Sequence, residues 1–240
     1  MRYLIVNADD FGLSPGVNAG IVQAHEQGIV TSASLMVRQP AAEAAAAYAR
    51  GRPALGLGLH VDLGEWAFRD GHWHALYERV PLDDAAAVEA EVRGQFERFR
   101  ALVGRDPDHL DSHQHVHRRE PAQSVMRALA RSTGLPLRGD CWIRFCGDFY
   151  GQTDTGEPLN DRIDIEALLH LLDRLPSGAT ELACHPGFVD TADPLGGTAY
   201  RTVRNVEVEV LCNERLRHGV AARGIVLATY TQALRATVQQ

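Results

Sequence analysis

The chain has 240 residues, the size of one large α/β domain, and its hydrophobic content of 45% is sufficient for a globular core. Its net charge of −7 argues against a general nucleic-acid or anionic-membrane binder. All 24 basic residues are arginine, so Schiff-base chemistry and the phosphate-binding P-loop, which both require lysine, are excluded.

The cysteines and the apolar runs indicate the cellular compartment in which the protein is expected. No two cysteines form a Cys-x-x-Cys pair, which argues against a structural zinc knuckle and suits a reducing environment. No apolar run is as long as a membrane span, and the N-terminus becomes polar too soon for a signal peptide. We therefore expect a cytoplasmic protein with no membrane span and no nucleic-acid partner; a homodimer remains open.

Strand and helix signals alternate along the chain. Strands are expected at residues 2–8, 29–36, 54–60, 108–112, 135–138, 180–185 and 225–229. Helices are expected at residues 15–28, 40–50, 83–103, 120–133, 164–175 and 202–222. The alternation predicts a single α/β domain over residues 1–240, in which about seven mainly parallel strands form a distorted, TIM-like (β/α) barrel. An open doubly wound sheet is the alternative.

Two segments without clear periodicity, residues 64–82 and residues 140–162, interrupt this alternation. The first segment contains Trp66, Trp73 and Tyr77. A loop of this length is usually functional, for example a lid, but a surface cluster of packed aromatic rings is also open.

Several predicted strands end directly in Asp or His. In a parallel sheet the carboxyl ends of the strands open onto one face, where ligands and catalytic groups lie. Such a set of carboxylates and imidazoles on one rim describes a metal-dependent active site. The residues at these strand ends are Asp9 and Asp10, His60, Asp111 and His113, and His185.

The adjacent pair Asp9-Asp10 enters a glycine-containing loop, where both side chains can turn toward the site. One carboxylate would then bind a cation while the other acts as a general base. An Asx turn before the following helix explains the same pair equally well. A lone histidine such as His60 after an apolar strand is more often a core residue than a ligand.

The segment from Asp111 to His117 is more specific, because it contains His113, His115 and His117 within five residues. If the chain stays extended, these three side chains point to one face, and at least one of them is a metal ligand. Asp111 would then orient a ring nitrogen of a ligand.

Two further strand-end residues would complete the site. His185 precedes a Pro-Gly turn that holds it rigidly, so it suits a proton donor or acceptor. Arg138 could pair with a carboxylate at the rim. One Asp and two His fit a catalytic metal with a bound water, and also the iron site of oxygenases. The additional Asp favours hydrolysis, because it provides a base that those oxygenases do not need.

Five motifs carry a family likeness. They are Asn7 to Gly12, Gly16 to Ile21, Gly58 to His60, Asp111 to His117, and Cys184 to Pro186 followed by Gly187 to Asp190. With them the chain resembles the YdjC-like (chitooligosaccharide deacetylase-type) carbohydrate deacetylases nearly from end to end.

The resemblance implies a distorted (β/α) barrel and one divalent metal ion, Zn²⁺ or Mg²⁺ with Co²⁺ as a substitute, bound by Asp10, His60 and His113. It also implies Asp9 as general base and His185 as general acid. Gln114 stands where many relatives have His, and we expect it to affect packing or substrate contacts more than the metal.

Together these features predict a metal-dependent hydrolase that removes the N-acetyl group from an amino sugar or its conjugate, a small-molecule partner. We expect Arg138 to tune Asp9. The side chains expected to contact the sugar are Trp66, Trp73, His115 and Tyr150. The alternatives are another single-metal hydrolase, such as a phosphoesterase, and a non-catalytic sugar-binding relative.

Overall fold

A curled parallel sheet forms the centre of the fold, and the computed structural model describes residues 1–153, 155–188, 200 and 202–238. The strands are β1 (Arg2–Phe11), β2 (Ser32–Leu35), β3 (Gly56–Val61), β4 (Gly64–Arg69), β5 (His72–Glu78), β6 (Leu110–Ser112), β7 (Arg144–Cys146), β8 (Gly178–Cys184) and β9 (Ile225–Leu227). A 7-stranded sheet has the order β6-β3-β2-β1-β8-β7, with β9 paired to β1. Every pairing in it is parallel.

The helices cover the outside of this sheet. They are α1 (Pro15–Glu26), α2 (Ala42–Arg50), α3 (Ala85–Val103), α4 (Ala122–Thr133), α5 (Ile165–Asp173), α6 (Thr202–Leu211), α7 (Glu214–Ala222) and α8 (Tyr230–Val238). The hydroxyl group of Ser14 caps α1 by accepting a hydrogen bond from the Val17 N–H. Within the described part of the chain, no helix has both the length and the apolar character needed to cross a membrane.

The predicted barrel is confirmed as a distorted, half-closed form in a single domain. The segment around Leu137 pairs with β6 through one parallel bridge, so it extends that edge of the sheet. Among the described residues no strand pairing joins this edge to β7, at the other edge. The sheet therefore curls without closing.

The expectation of an irregular loop over residues 64–82 is wrong. Strands β4 and β5 form an antiparallel hairpin, with Arg69 paired to His72 across a two-residue turn. In that turn Asp70 has a φ of 51° and Gly71 a φ of 78°. An Asp-Gly pair favours this kind of turn, and it was the local signal for the hairpin.

Three other boundaries differ from the prediction. The segment expected as a strand over residues 135–138 makes only the single bridge, while β7 forms inside the stretch expected to be irregular. The predicted helix over residues 202–222 is divided into α6 and α7, because the side chain of Asn213 accepts a hydrogen bond from the Arg215 N–H and begins a new helix.

Candidate active site

A β-bulge in β1 places two neighbouring carboxylates on the same side. The pairing of β1 with β2 shifts register between Ala8 and Phe11, and Asp10 has a φ of 68°. In a regular strand, adjacent side chains point to opposite faces, and a bulge removes that restriction. Asp9 and Asp10 consequently each have a carboxylate oxygen within 4.8 Å of a ring nitrogen of His60.

Three side chains form a compact group that we call the metal-ligand cluster, namely Asp10, His60 and His113. One ligand atom from each lies within 4.8 Å of the others. Asp10 Oδ1 is 3.3 Å from His60 Nε2 and 3.1 Å from His113 Nδ1. Asp10 and His60 are buried, and the side chain of His113 is 12% exposed. The cluster joins the carboxyl ends of β1, β3 and β6, as parallel strand ends allow.

Asp111 sets the orientation of the His60 ring. Its Nδ1 lies 2.8 Å from Asp111 Oδ1, which leaves Nε2 directed at Asp10. Burial alone would lower the pKa of His60, but the nearby charges of Asp111 and Asp9, with hydrogen bonds to Asp10 and Asp111, raise it to about 10. The negative charge that favours a proton on this imidazole also favours a divalent cation beside it.

Arg138 lies inside the curled sheet, deeper than the predicted position at the rim. Its guanidinium donates hydrogen bonds to both carboxylate oxygens of Asp9, each at 2.7 Å, and reaches Asp111 at 2.7 Å and Glu181 at 2.6 Å. Its single positive charge therefore contacts carboxylates on three strands, β1, β6 and β8. Burial acts to raise the pKa of Asp9, but Arg138 outweighs burial and the pKa lies below its ordinary value.

His185 lies across from Asp9, with its Nε2 3.8 Å from Asp9 Oδ2. The rings of Tyr150 and Tyr200 contact it edge-on, with ring centroids 5.2 and 5.4 Å away. Burial lowers the pKa of His185 to about 4, so its ring is uncharged at neutral pH. Its Nδ1 is buried and has no hydrogen-bond partner within the described ranges.

Helix α6 supplies site residues that the sequence analysis missed. Arg204 donates a hydrogen bond to Asp10 Oδ2 at 2.6 Å and another to the Tyr200 carbonyl at 3.0 Å. Glu207 accepts hydrogen bonds from the His185 N–H and the Tyr200 hydroxyl. The only local signal was their spacing of three residues on a predicted helix, which places two side chains on one face.

The chain does not stay extended after β6, so the condition under which its three histidines would share one face is not met. The chain turns into a 3-10 helix over His113–Arg118, in which Gln114 and His115 have φ angles of 48° and 53°. His113 reaches Asp10, and His117 Nδ1 lies 2.6 Å from the Ser112 hydroxyl. Extended spacing predicts one face only while the backbone stays extended, and here it does not.

The predicted sugar contacts lie in different surroundings. Trp73 is on β5 with 56% of its surface exposed, and its ring contacts that of Phe68. Trp66 is half-buried against the core. His115 contacts the ring of Phe145, with centroids 5.3 Å apart. The ring of Tyr150 contacts that of His185, with centroids 5.2 Å apart.

Comparison with known proteins identifies the family of the chain. The profile of the family described as YdjC-like protein matches residues 3–222. A carbohydrate deacetylase from Geobacillus stearothermophilus is 37% identical, over 96% of this chain and 98% of the relative. A chitooligosaccharide deacetylase from Klebsiella pneumoniae is 36% identical, over 95% of this chain and 98% of the relative.

Solved structures share the fold. A putative cellobiose-phosphate cleavage protein from Enterococcus faecalis superposes with a TM-score of 0.78 at 29% identity, covering 96% of this chain and 98% of that one. A family 4 carbohydrate esterase from Streptomyces lividans superposes with a TM-score of 0.56 at 12% identity, covering 95% and 92%. Of the motifs quoted above, Val189 and Asp190 lie outside the described residues. The chain belongs to the YdjC-like family.

Proposed function

We propose that the protein is a metal-dependent carbohydrate deacetylase that hydrolyses the N-acetyl group of an amino sugar, such as one in a chitooligosaccharide. The observation that carries the proposal is the convergence of Asp10, His60 and His113 beside a separate carboxylate, Asp9, and a separate imidazole, His185. Similarity over nearly the full length to carbohydrate and chitooligosaccharide deacetylases supports it. We propose that residues 1–240 act as one catalytic domain.

The metal-ligand cluster fits one divalent cation. Two imidazoles and one carboxylate are a common donor set for a catalytic metal that keeps open positions. His113 directs Nδ1 at Asp10 Oδ1, 3.1 Å away, so this ring nitrogen is the one that would bind the ion. Asp10, His60 and His113 would hold the ion, and we propose Zn²⁺ or Mg²⁺, with Co²⁺ able to substitute. When bound, it would polarise the acetyl carbonyl and lower the pKa of a bound water.

Asp9 is proposed as the general base. Its lowered pKa keeps the carboxylate ionised at neutral pH, and the two hydrogen bonds from Arg138 fix its orientation. Asp9 would take a proton from the attacking water. Because Arg138 holds both carboxylate oxygens, we propose that it positions Asp9 and limits how basic the carboxylate can become.

His185 is proposed to protonate the leaving nitrogen, because an amine anion is too poor a leaving group. Its pKa of about 4 means that the resting ring is uncharged, and an uncharged imidazole is too weak an acid for this step. The proton must therefore arrive from the attacking water. Asp9 Oδ2 lies 3.8 Å from His185 Nε2, so we propose that Asp9 passes the proton of the attacking water to His185.

A phosphoesterase, the other hydrolase that the sequence left open, would usually have ligands for a second metal. A second possible ligand group, formed by Asp9, His60 and Asp111, lies next to the first. However, Asp9 and Asp111 both bind the guanidinium of Arg138, so that position already contains a positive charge. A non-catalytic sugar-binding relative would be expected to lose the base or a ligand, and this chain has both.

The test is the release of acetate from N,N′-diacetylchitobiose and other N-acetylated sugars, with metal content measured on the same sample. We expect turnover that chelation abolishes and that added Zn²⁺, Mg²⁺ or Co²⁺ restores, at one metal ion per chain. A phosphomonoester serves as the control substrate. Fully loaded protein that releases phosphate but no acetate from any of these sugars would refute the proposal.

A further inference from the structure

The peptide groups of His185 lie beyond the hydrogen-bond ladder of the sheet. The pairing of β8 with β1 ends at Cys184, opposite Ala8, and its pairing with β7 ends at Leu182. Backbone N–H and C=O groups in the interior of a protein are nearly always hydrogen-bonded. Those of His185 therefore need partners from an element outside the sheet.

Helix α6 provides these partners from two buried side chains. Glu207 Oε2 accepts a hydrogen bond from the His185 N–H, and Arg204 Nη1 donates one to the His185 carbonyl oxygen at 3.3 Å. Glu207 and Arg204 are three positions apart, so they lie on the same face of the helix. The backbone of His185 is therefore held on both sides by one helix, and its N–H is bound by a carboxylate, which is among the stronger acceptors.

The second carboxylate oxygen of Glu207 fixes the aromatic rings beside His185. The Tyr200 hydroxyl donates a hydrogen bond to Glu207 Oε1 and accepts one from the Gly151 N–H at 3.1 Å. The ring of Tyr200 stacks on that of Tyr150, with centroids 4.5 Å apart and an interplanar angle of 1°. Because both rings contact the imidazole edge-on, Glu207 holds the backbone of His185 and also a ring against which its side chain packs.

The imidazole of His185 has no hydrogen bond of its own that would fix its direction. Its Nδ1 has no partner within the described ranges, and the 3.8 Å between Nε2 and Asp9 Oδ2 is too long for a hydrogen bond. In many catalytic sites a carboxylate orients the histidine by binding its second ring nitrogen. Here the carboxylate of Glu207 acts on the backbone and on a neighbouring ring, so the direction of the imidazole depends on these contacts.

We propose that Glu207 is a positioning residue for His185, whose carboxylate holds the imidazole where it can protonate the leaving nitrogen. The catalytic part of this inference rests on the proposed deacetylase function, whereas the placement of the ring can be measured without turnover. Arg204 acts on the carbonyl side, but it also binds Asp10, so its removal would disturb a proposed metal ligand. The hydrogen bonds of Glu207 in the described structure go to His185 and Tyr200, so its removal leaves the ligands in place.

The kinetic test uses metal-loaded wild type and Glu207→Met, which has a similar length but no acceptor. We expect Glu207→Met to keep its metal and KM and to lose roughly 10–100-fold in kcat on N,N′-diacetylchitobiose, because a small displacement of a catalytic group is costly. Hydrolysis of 4-nitrophenyl acetate, whose leaving group needs no proton, should fall far less. Glu207→Gln should recover most of the loss, since its amide oxygen can accept from the His185 N–H while its amide nitrogen donates to the Tyr200 hydroxyl. Glu209→Met, which removes an exposed carboxylate from the same helix, is the matched control and should change neither rate.

The position of the imidazole is measured directly by NMR of Zn²⁺-supplemented protein with isotope-labelled histidines, in which the signals of His185 are identified by their absence from His185→Gln. In the wild type, the His185 amide proton should resonate downfield because it is bound to a carboxylate. The ring protons should be displaced by the ring currents of Tyr150 and Tyr200. In Glu207→Met both sets of signals should move toward the values of an unstructured histidine.

The two measurements separate this inference from the proposed function. If the wild type releases no acetate from any N-acetylated sugar, the deacetylase proposal fails, while the His185 signals still decide the role of Glu207. Unchanged His185 signals in Glu207→Met, a loss of metal from that variant, or equal losses on the sugar and the ester would each overturn the inference. If Glu207→Met does not fold, Glu207→Asp withdraws the carboxylate by one methylene and should displace the same signals; wild-type signals in Glu207→Asp would refute the inference.

Discussion

Removal of the positive charge at Arg138 gives the sharpest test of how the site is built. Arg138 is almost fully buried and is the cation bound by Asp9, Asp111 and Glu181. Arg138→Met keeps much of the side-chain length and leaves these carboxylates without that cation. Removing one partner of a buried ion pair typically costs about 3–5 kcal/mol, because the remaining charge is stranded. Since a domain of this kind is stable by about 5–15 kcal/mol, we expect a large loss of stability at pH 7.

The stability lost in Arg138→Met should depend on pH, in the direction that the pKa shifts of Asp9 and Asp111 determine. In the wild type, Arg138 lowers the pKa of Asp9 and Asp111 below their unfolded values. The two ionised carboxylates therefore contribute fully to the free energy of unfolding above the unfolded pKa near 3.8, and this contribution is lost as the pH falls toward the lower folded values. Burial is the largest influence on the pKa of both groups and acts to raise it, so we expect higher folded pKa values once the charge of Arg138 is removed. A group with a raised folded pKa gains stability as the pH falls. Each proton taken up on folding contributes about 1.4 kcal/mol per pH unit.

The assay is urea unfolding of metal-free protein at pH 7.0 and pH 5.5. Arg138→Met should be much less stable than wild type at pH 7.0, and this difference in stability should be smaller at pH 5.5, because the histidines that titrate in the interval are present in both proteins. Arg127→Met is the matched control, since its ion pair with Asp140 is at the surface and should contribute nothing measurable. If Arg138→Met is as stable as wild type at pH 7.0, or if the difference in stability between the two proteins does not become smaller at pH 5.5, the carboxylates do not depend on Arg138.

Three predictions concern turnover. Asp9→Asn should keep its metal and slow hydrolysis by roughly 10²–10⁴-fold, while Asp10→Asn should lose metal; equal metal loss in both variants contradicts this division of roles. His185→Ala should retain metal and fold but lose amide hydrolysis far more than hydrolysis of an activated ester, whose leaving group needs no proton; equal losses on both substrates mean that His185 is not the acid. Trp73→Ala should raise KM if the side chain contacts the sugar. The melting temperature should not change, because Trp73 is 56% exposed; an unchanged KM means that the ring does not contact substrate.

The sequence alone was sufficient to find the strand-end residues. Asp9, Asp10, His60, His113 and His185 each follow an apolar strand, and parallel strands end on one face whatever their lateral order. The residues at these ends could therefore be placed together without knowledge of the strand order. The hairpin was also encoded locally by Asp70 and Gly71, although the aromatic residues around them hid the alternating pattern.

The partners of these residues were decided by the tertiary structure. Arg138 binds Asp9 on β1 and Asp111 on β6, although β2 and β3 separate these two strands in the sheet. Such a contact depends on the curvature of the sheet, which no local sequence period encodes. Arg204 reaches Asp10 across 194 positions of the chain because α6 packs against α1 beside the end of β1. Sequence patterns report which face of an element is buried, but not which side chain from a distant element meets it there.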